Sequence, residues 1–595
     1  MTTMLNIRSI IIALLLISSH CLSSTFFVPS DFPDIQSGID AANSGDTVVI
    51  SSGLYYEHGI IMKAGITLTG DSEIAGDVTI TADNHGRIID CSNLSELTTI
   101  KNITFDNGYV SEGWIDALGA GVRAISSNIA IYNCTFINNT AFTGAGFGAL
   151  ESTIDIADCT FMSNRAVNEL WAAGGAIWAK ECTGIIRNCE ITQNTAFTID
   201  NLLGDGGGFF FNNCQISVIA SEFLSNSTAV GAGGFYSVEG DASVFLNCYF
   251  AFNEAKTGGA VYYEYGASAQ FLNCTFYKNI AIAGGAIYSA SDSNPHLSNC
   301  DFVQNIATVY SGGAFDCWSS DAIITDCNFI SNSSENHAGG INFVNSTSAV
   351  SGTIFQYNTT TNRGGAIRCY FSNISLSNCT LTSNSAAEGG GLFLTYSSSA
   401  DIDNSIIAFS TAGESIKIIQ DGYSTISCSN IFGNSGGDWI GGISDQLTIN
   451  NNLSLDPLFD DTVELLYLHC DSPCSEENNF ECGLIGALPA NCDITNVPYE
   501  IPVQIISDIN CYPNPFNPST TIQFSQNRPG RTSVAVYDIS GQLVTILVDN
   551  FLLEGTHQMR WNGDDNGGNK VASGNYFFRI TSDQYEQSGR LTLLK

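Results

Sequence analysis

Hydrophobic and polar positions repeat at nearly constant intervals through the middle of this chain. Each repeat contains a run of small residues that ends in an apolar one, followed by a phrase close to Asn-Cys-x-Phe. From Phe209 onward the closing apolar residues lie about 26 residues apart, at Phe209, Phe235, Val261, Ile287, Phe315, Ile341, Ile367 and Leu392. A fixed period of this length is typical of an array in which one structural unit is stacked many times.

Each repeat consists of short apolar or alternating runs bounded by Gly, Asn and Ser, which predicts strands and turns. In Asn273-Cys274-Thr275-Phe276, the period of two places Cys274 and Phe276 on one face, which we expect to point inward. Three residues past each Phe comes an Asn, for example Asn279 and Asn305. We expect these Asn at a left-handed bend of every coil, with side chains that bond one another along the stack.

These repeats resemble the right-handed parallel β-helix of the pectin-lyase-like superfamily. The pairing of Gly-Gly-Ala-Ile with Phe-x-x-Asn is also similar to polymorphic outer-membrane proteins. The resemblance implies an all-β fold, a right-handed parallel β-helix solenoid of about thirteen coils. In such a solenoid Phe250, Phe276 and Phe302 lie directly over one another.

Both ends of the array need covers, because they would otherwise expose unpaired strand edges. Residues 28–70 resemble the opening of pectin-lyase-like β-helices. Ile35, Ile39 and Ala42 fall on one helical face there and predict a short N-terminal capping helix. We divide the chain into a signal peptide (1–24), an N-terminal cap with the first coils (25–95), β-helix repeats (96–465), a Cys-rich C-terminal cap (466–497), a linker (498–510) and a C-terminal domain (511–595).

The first residues predict export. Arg8 precedes an apolar run from Ile10 to Ile17 and then small and polar residues through Ser24, which is the pattern of a secretory signal peptide. No other long apolar segment follows, so we expect no transmembrane segment in the mature chain. Asp and Glu outnumber Lys and Arg by 58 to 20, which disfavours nucleic acid as a partner.

Cysteine is frequent for an exported chain. Eight cysteines occupy the same inward repeat position: Cys134, Cys159, Cys189, Cys248, Cys274, Cys300, Cys327 and Cys379. We interpret them as a ladder of buried free thiols, with vertical disulfides as the alternative. Cys470, Cys474, Cys482 and Cys492 fall outside the repeat and predict a disulfide-tied end cap, with a zinc site near His469 as the alternative.

The last 85 residues change character. Tyr512-Pro513-Asn514-Pro515-Phe516, Val536-Tyr537-Asp538-Ile539-Ser540-Gly541 and the closing Leu591-Thr592-Leu593-Leu594-Lys595 resemble a type A C-terminal sorting domain of the type IX secretion system. The resemblance implies a small Ig-like β-sandwich over 511–595 that is recognised by the type IX machinery. It also implies a protein of a Bacteroidetes-type bacterium that is exported through the periplasm, and is then secreted or attached to the outer-membrane surface.

One outward-facing row of residues is the candidate binding site. The residue after each closing apolar position should point outward, and five consecutive coils place an aromatic ring there, namely Trp178, Phe210, Tyr236, Tyr262 and Tyr288, followed by Asp316, Asn342, Arg368 and Phe393. Two positions on, the next outward row contains Lys180, Glu264, Trp318 and Tyr370. Aromatic surfaces beside polar groups suit sugar rings, so we predict that this face binds extracellular polysaccharide. The alternative is that the aromatic residues stabilise the sheet by packing on each other, or that a loop covers them.

Catalytic residues are harder to assign. Polysaccharide lyases of the superfamily, as the resemblance implies, use an Arg or Lys base, usually with calcium. Here only Arg368 shares the face with an acid, Asp316, two coils or roughly 10 Å away. We find no metal-ligand spacing and expect no cofactor, with calcium only if the protein is a lyase. We therefore expect a binding or adhesin-like surface protein, with a polysaccharide lyase or glycoside hydrolase as the alternative.

Overall fold

The structure is a computed structural model that describes residues 23–594 except 112–116, 201–202, 461–465, 493–505, 515, 527–529, 538–542, 553–554, 566–568 and 583–584. The chain forms two compact units, Met1–Asn491 and Cys492–Lys595. Nearly all of the predicted signal peptide lies outside the described residues. Within them, no helix is both long and apolar enough to cross a membrane.

Three long parallel sheets, of 16, 15 and 14 strands, form most of the described part of the first unit, and most coils contribute one strand to each of them. The 16-stranded sheet contains Thr25–Val28, Thr47–Ile50, Thr67–Gly70, Thr98–Lys101, Asn128–Tyr132, Thr153–Ala157, Thr183–Arg187, Gln215–Ile219, Val244–Leu246, Gln270–Leu272, His296–Ser298, Ile323–Thr325, Thr347–Ser351, Asn373–Ser377, Ser399–Asp403 and Tyr423–Ser427. The 15-stranded sheet contains Gly53–Tyr56, Val78–Thr81, Thr104–Asp106, Thr135–Ile137, Thr160–Met162, Glu190–Thr192, Glu222–Leu224, Tyr249–Ala251, Thr275–Tyr277, Asp301–Val303, Asn328–Ile330, Ile354–Gln356, Thr380–Thr382, Ile406–Ala408 and Asn430–Phe432.

The 14-stranded sheet carries the predicted binding face. It contains Ile60–Ile61, Ile89–Ser92, Val122–Ile125, Phe147–Leu150, Ile177–Lys180, Phe209–Asn212, Phe235–Val238, Val261–Glu264, Ile287–Ser289, Phe315–Trp318, Ile341–Val344, Ile367–Tyr370, Leu392–Thr395 and Ile416–Ile418. Two small four-stranded sheets extend some coils, with strands Thr140–Ala141, Arg165–Asn168, Thr195–Thr198 and Ser227–Thr228, and Ile280–Ala281, Ile306–Ala307, Ser333–Ser334 and Thr359–Thr360.

The interior is built from like residues stacked on like. Phe250 pairs in register with Phe276, and Phe276 with Phe302. Their ring centroids lie 5.1 and 4.6 Å apart, with the planes nearly parallel. This confirms the predicted stacking. Because all three side chains are fully buried, each coil contributes a large apolar group to one continuous core.

The predicted ladder of buried thiols is confirmed, since all eight inward cysteines are buried and free. The backbone N–H of Cys134 donates to Cys159 Sγ at 3.4 Å. Where the ladder lacks cysteine, a hydroxyl takes its place, as when the N–H of Cys189 donates to Ser221 Oγ at 3.1 Å. The position therefore selects a small side chain whose sulfur or oxygen accepts a bond from the coil before it.

The predicted asparagine ladder is also present, but the predicted left-handed bend is one residue earlier. Asn279 Nδ2 donates to Asn305 Oδ1 at 3.0 Å and to the carbonyl oxygen of Phe250 at 2.9 Å. The residue with positive φ is Lys278, not Asn279, and Gln304 has the same position in the next coil. The prediction was wrong on this point because buried amide bonding, and not tolerance of positive φ, fixes Asn at this position.

The two ends of the solenoid are closed differently. The predicted capping helix is present as Ile35–Ala41, and the Asp34 side chain accepts a bond from the Ser37 N–H at its first turn. Two 3₁₀ turns, Ala75–Asp77 and Gly441–Ile443, lie near the ends. At the C-terminal cap, Cys482 forms a disulfide with Cys428.

The pairing of the cap cysteines differs from the predicted set. Cys428 belongs to the turn after the last strand of the 16-stranded sheet and was not singled out from the sequence. Cys470 and Cys474 are free thiols in the structure. Cys428 lies outside the cap segment, so the spacing of the cap cysteines alone could not reveal it as the partner of Cys482.

The second unit consists of antiparallel sheets. One contains Ile506–Tyr512, Thr520–Gln526 and Gly555–Trp561, and the other contains Leu543–Leu552, Gly530–Tyr537, Gly574–Ser582 and Tyr585–Leu593. Its core includes Phe524, Val534, Trp561 and Ile580. The first strand begins at Ile506, inside the segment predicted as a linker.

The asparagine ladder predicts a specific stability defect. Asn305→Ala removes the acceptor of both the Asn279 N–H and the Asn279 Nδ2 group. Each buried donor left without a partner costs about 1–3 kcal/mol, so we expect urea unfolding to show a loss of at least about 2 kcal/mol. Asn294→Ala, at an exposed asparagine, is the control and should change stability by less than about 0.5 kcal/mol. Equal effects of the two changes would contradict the assigned role of the ladder.

Candidate functional site

The outer row of the 14-stranded sheet runs in the predicted order. Consecutive members pair in register, from Trp178 through Phe210, Tyr236, Tyr262, Tyr288, Asp316, Asn342 and Arg368 to Phe393. The side chains of neighbouring members therefore lie about 4.8 Å apart along the rod. Whether this row binds a ligand stays a prediction.

The first three aromatic residues of the row are covered. Trp178, Phe210 and Tyr236 are only 5–7% exposed. They pack with Leu118 and other loop residues in a separate apolar cluster, and the Trp171 ring meets that of Phe210 edge-on at 5.2 Å. This stretch is a second layer of core laid on the outside of the sheet. The alternative that a loop covers the aromatic residues is therefore correct for Trp178, Phe210 and Tyr236.

An acidic residue from the loops reaches this covered stretch. Trp171 Nε1 donates to Asp205 Oδ2 at 2.7 Å, and burial raises the pKa of Asp205 to about 6. The Tyr236 hydroxyl donates to Glu264 Oε2 from the neighbouring coil. Burial and the nearby Asp205 and Glu264 carboxylates raise the pKa of Tyr236. Each polar group named here has its partner within the protein, which indicates a structural role.

Beyond Tyr262 and Tyr288, which are half-buried, the row becomes polar. Asp316 is almost fully buried and accepts three hydrogen bonds, from Ser311 Oγ at 2.8 Å, Trp318 Nε1 at 2.8 Å and Asn342 Nδ2 at 2.7 Å. Burial raises the pKa of Asp316 to about 6, although these three bonds favour its charged form. Asp316 was expected on an open face, and its burial makes it an anchor for the groups around it.

Arg368 is the one cation of this row. Its Nη1 donates to Asn342 Oδ1 at 2.8 Å, which links it to Asp316 through the amide. Its Nε is buried without a hydrogen-bond partner, although the Asp316 carboxylate attracts the guanidinium electrostatically. Burial lowers the pKa of the guanidinium, which nevertheless stays charged. Such a group can accept an anionic partner from outside the protein.

A parallel column beside the row adds His337 and Arg363. Ser311, His337, Arg363 and Glu388 are bridged in register from coil to coil. His337 Nδ1 is buried without a partner, and burial together with the two arginines lowers the pKa of His337 to about 4. Arg363 Nε pairs with Glu388 at 2.8 Å. The imidazole is therefore neutral above about pH 5 and can exchange hydrogen bonds with a ligand.

Exposed aromatic rings border this polar group. Tyr370, Phe371 and Tyr396 contact one another with ring centroids 4.7–5.1 Å apart, and Arg368 lies 5.0 Å from the Tyr370 ring. Phe371 is 50% and Tyr396 39% exposed. We call Asp316, Trp318, His337, Asn342 and Arg368 the Arg368 cluster, and Tyr370, Phe371 and Tyr396 the aromatic rim.

Two residues of the aromatic rim have an unfavourable backbone conformation. Phe371 and Tyr396 have φ of +50° and +51°, where the preceding coil has Asn345 at +51°. A bulky residue pays about 1–2 kcal/mol in the left-handed region, whereas Asn and Gly are adapted to it. The same turn of other coils has Glu239, Tyr265 and Ser319 at φ of +45° to +53°, so the left-handed conformation belongs to the turn and does not by itself mark the rim as a site.

The structure thus separates the predicted site residues. Asp316, Trp318 and Arg368 come together, and Tyr288 borders them by pairing with Asp316. Trp178, Phe210 and Tyr236 lie toward the N-terminal end under cover, and Tyr262 and Glu264 lie between the two regions. His337 and Arg363 were missed, although each directly precedes a small-residue run and that position repeats in register. Among the described residues, no group of three or more His, Cys, Asp or Glu side chains is placed to hold a metal ion.

A broad groove of about 800 Å³ lies elsewhere, on the 16-stranded sheet. It passes over small side chains such as Ala349 and Ser375, with Tyr423 among its lining residues. Tyr423 is 59% exposed, which makes it a matched control for the aromatic rim.

Residues 158–302 and 256–407 match the family model of the right-handed β-helix region. The solenoid is a right-handed parallel β-helix. Residues 517–586 match the FlgD Ig-like domain, in agreement with the predicted Ig-like C-terminal sandwich. No curated protein matches the chain.

Two solved structures are similar to the chain at low identity. One is the catalytic domain of a GH87 α-1,3-glucanase variant in complex with nigerose, with 12% identity, 64% of each chain covered and a TM-score of 0.31. The other is the enzymatically active domain of tailspike protein 4 of bacteriophage CBA120, with 11% identity, 94% of this chain and 63% of that chain covered, and a TM-score of 0.21. This chain thus spans less than two thirds of either structure, and at these TM-scores the likeness carries no argument about activity.

Burial of Asp316 predicts a pH dependence. Its pKa of about 6 in the folded state lies above its ordinary value of 3.8, so its contribution to stability is full below about pH 4 and is lost as the pH rises through 6. Asp316→Asn removes this titration. We therefore expect thermal melts to show that the variant gains stability relative to the natural protein between pH 4 and 7. A constant difference over this range would contradict the assigned pKa.

Proposed function

We propose that this protein binds an extracellular polysaccharide along the outer face of the 14-stranded sheet, between Tyr288 and Tyr396. The observation that carries the proposal is the aromatic rim beside Arg368, where the exposed rings of Phe371 and Tyr396 adjoin a guanidinium whose Nε has no hydrogen-bond partner. The likeness of the repeats to pectin-lyase-like proteins is a further, weaker support.

The chemistry of the two parts is complementary. Aromatic faces offer flat apolar surface at little entropic cost, which suits the apolar faces of sugar rings. Arg368 and His337 add donors for carboxylate, sulfate or hydroxyl oxygens of the polymer. Because the face continues from coil to coil, successive sugar units can be contacted along the rod.

A second candidate function is cleavage of such a polymer by a lyase or glycoside hydrolase. Asp316 with a raised pKa and Arg368 lie two coils apart and are linked through Asn342. Against this candidate, both Asp316 oxygens already accept bonds from protein donors, so the carboxylate has little freedom to act on a substrate. Only this second candidate function, in its lyase form, would involve a calcium ion.

Phe371→Asn tests the binding face. Asn is the residue of the preceding coil at this turn, so the variant should fold with stability within about 1 kcal/mol of the natural protein. We expect its affinity for a retained polysaccharide to fall at least about tenfold, the effect of about 1.4 kcal/mol. Affinity electrophoresis against neutral and acidic plant, algal and bacterial polysaccharides, with and without calcium, provides the measurement.

Tyr423→Ser is the control for this experiment, because it removes an equally exposed ring from the 16-stranded sheet. Loss of retention in Tyr423→Ser but not in Phe371→Asn would move the binding face to the other sheet. Retention of no polysaccharide by the natural protein would reject the proposal. New reducing or unsaturated ends that disappear in Arg368→Lys would replace it by the enzymatic candidate.

We also propose that residues 511–595 direct the protein through the type IX secretion system to the surface of a Bacteroidetes-type bacterium. The proposal is supported by the sorting-domain motifs around Tyr512 and Val536 and by the Ig-like character of the unit.

Deletion of residues 511–595 should leave the protein in the periplasm of a host that has the type IX machinery. Cell fractionation and surface labelling give the readout. Deletion of residues 1–24 is the matched control and should leave the protein in the cytoplasm. Surface display of the protein without residues 511–595 would contradict the proposal.

A further inference from the structure

One corner of the solenoid, where the two small four-stranded sheets lie, exposes two groups of large apolar side chains. In the loops toward the N-terminal end, Leu170 is 78% and Ile199 69% exposed. Further along the same corner, Tyr310 is 58% exposed. Grouped apolar side chains with this exposure are typical of surfaces that contact other proteins. We call Leu170, Ile199 and Leu203 the first patch, and Ile280, Ile306, Val309 and Tyr310 the second patch.

Both patches are held in place by hydrogen bonds of the described backbone. The Ile199 N–H donates to the carbonyl oxygen of Asn168 at 2.9 Å, and the Leu170 N–H donates to Asn168 Oδ1 at 3.1 Å. The Tyr310 N–H donates to the carbonyl oxygen of Ile282 at 2.9 Å. A partner that binds here therefore does not have to order these loops first, which lowers the cost of association.

The two patches lie at equal distances from a midpoint. One column of residues crosses the corner from coil to coil, through Arg165, Thr195, Ser227, Glu254, Ile280 and Ile306. The first patch belongs to the first two of these coils and the second patch to the last two. The midpoint therefore falls between Ser227 and Glu254, and the five steps of the column span about 24 Å.

This spacing fits a second copy of the chain. A two-fold axis through the midpoint, perpendicular to the rod, lays the first patch of one copy on the second patch of the other, and the contact occurs twice. A groove of about 420 Å³ lies at the midpoint, with Phe197 and Ile282 among its lining residues. The same axis places Phe197 of one copy against Ile282 of the other.

The charges at this corner also permit self-association. The whole chain has 58 acidic and 20 basic residues, so two copies repel one another over most of their surfaces. In the column and the groove the charged residues are Arg165, Glu254 and Lys256, two cations and one anion. Arg165 lies over the Phe197 ring at 5.3 Å. An acidic second copy is therefore repelled less here than elsewhere.

We propose that two copies of this chain associate side by side and antiparallel through this corner, with each first patch against the second patch of the other copy. A staggered parallel contact would join the same patches, but it would leave one patch of each kind open and would continue into a chain of copies. The antiparallel pair closes, because it covers all four patches. None of the patch residues belongs to the 14-stranded sheet, so the inference does not rest on the proposed function.

Sedimentation velocity of the full-length protein over a range of concentrations tests the inference. We expect a monomer–dimer equilibrium without larger species. Leu170→Asp and Val309→Asp change one exposed residue of the first and of the second patch. Each should weaken dimerisation at least about tenfold, because the contact would bury an unpaired charge. Ile323→Asp, at a residue of the 16-stranded sheet that is 52% exposed, is the control and should leave dimerisation unchanged.

An exchange of charges identifies the arrangement. In the antiparallel pair the coil of Leu170 meets the coil of Val309, so Leu170→Asp and Val309→Lys in one chain should dimerise at least about threefold more tightly than Leu170→Asp alone. Leu170→Asp with Val309→Asp should show no such recovery. Thermal melts check that every variant is folded.

A natural protein that stays monomeric at every concentration would overturn the inference. So would species larger than a dimer, equal losses in the patch variants and Ile323→Asp, or no recovery on charge exchange. Phe371→Asn should leave dimerisation unchanged, so failure of polysaccharide binding and failure of dimerisation are separate results.

Discussion

Stacking of coils in register is the constraint on which this structure depends. Because parallel strands advance by about 4.8 Å per coil, a side chain inside the solenoid always meets its counterpart from the coils on either side. The interior therefore selects residues whose side chains pack well against identical side chains, as Phe276 does between Phe250 and Phe302. Polar groups can be buried only where they bond their own copies, as Asn279 does with Asn305. Core packing and the satisfaction of buried polar groups thus have one common cause.

On the outer faces of the sheets the same register holds, but the side chains there are less restricted in size and polarity. An outward side chain is bounded by its neighbours in the row and by whatever the loops bring over it. Loop residues Leu118 and Trp171 turn the first part of the outer row into an apolar layer, whereas in later coils the row and the column beside it become Asp316, His337 and Arg368. The change from aromatic to polar side chains along one row is what creates a surface distinct from the rest of the rod.

Much of the fold could be predicted from the sequence, because the period and the alternation of apolar residues report the register directly. Phe302 and Cys300 were placed correctly for this reason. Burial of the outer row could not be predicted, since the loops that cover Trp178 lie outside the repeated phrase and vary in length. The closeness of His337 to Arg368 could not be predicted either. It arises because the column that contains His337 runs beside the outer row that contains Arg368, and neither series shows this alone. Cys428 was missed because its partner comes from the cap.

Repetition also explains where binding is to be sought. In a solenoid each coil contacts mainly its neighbours, so one coil can carry an unfavourable group without loss of the whole fold. Arg368, whose Nε is buried without a hydrogen-bond partner, is a local cost of this kind. The candidate binding face therefore lies where the outer row changes from aromatic to polar residues, since stacking alone does not explain the residues that are present there.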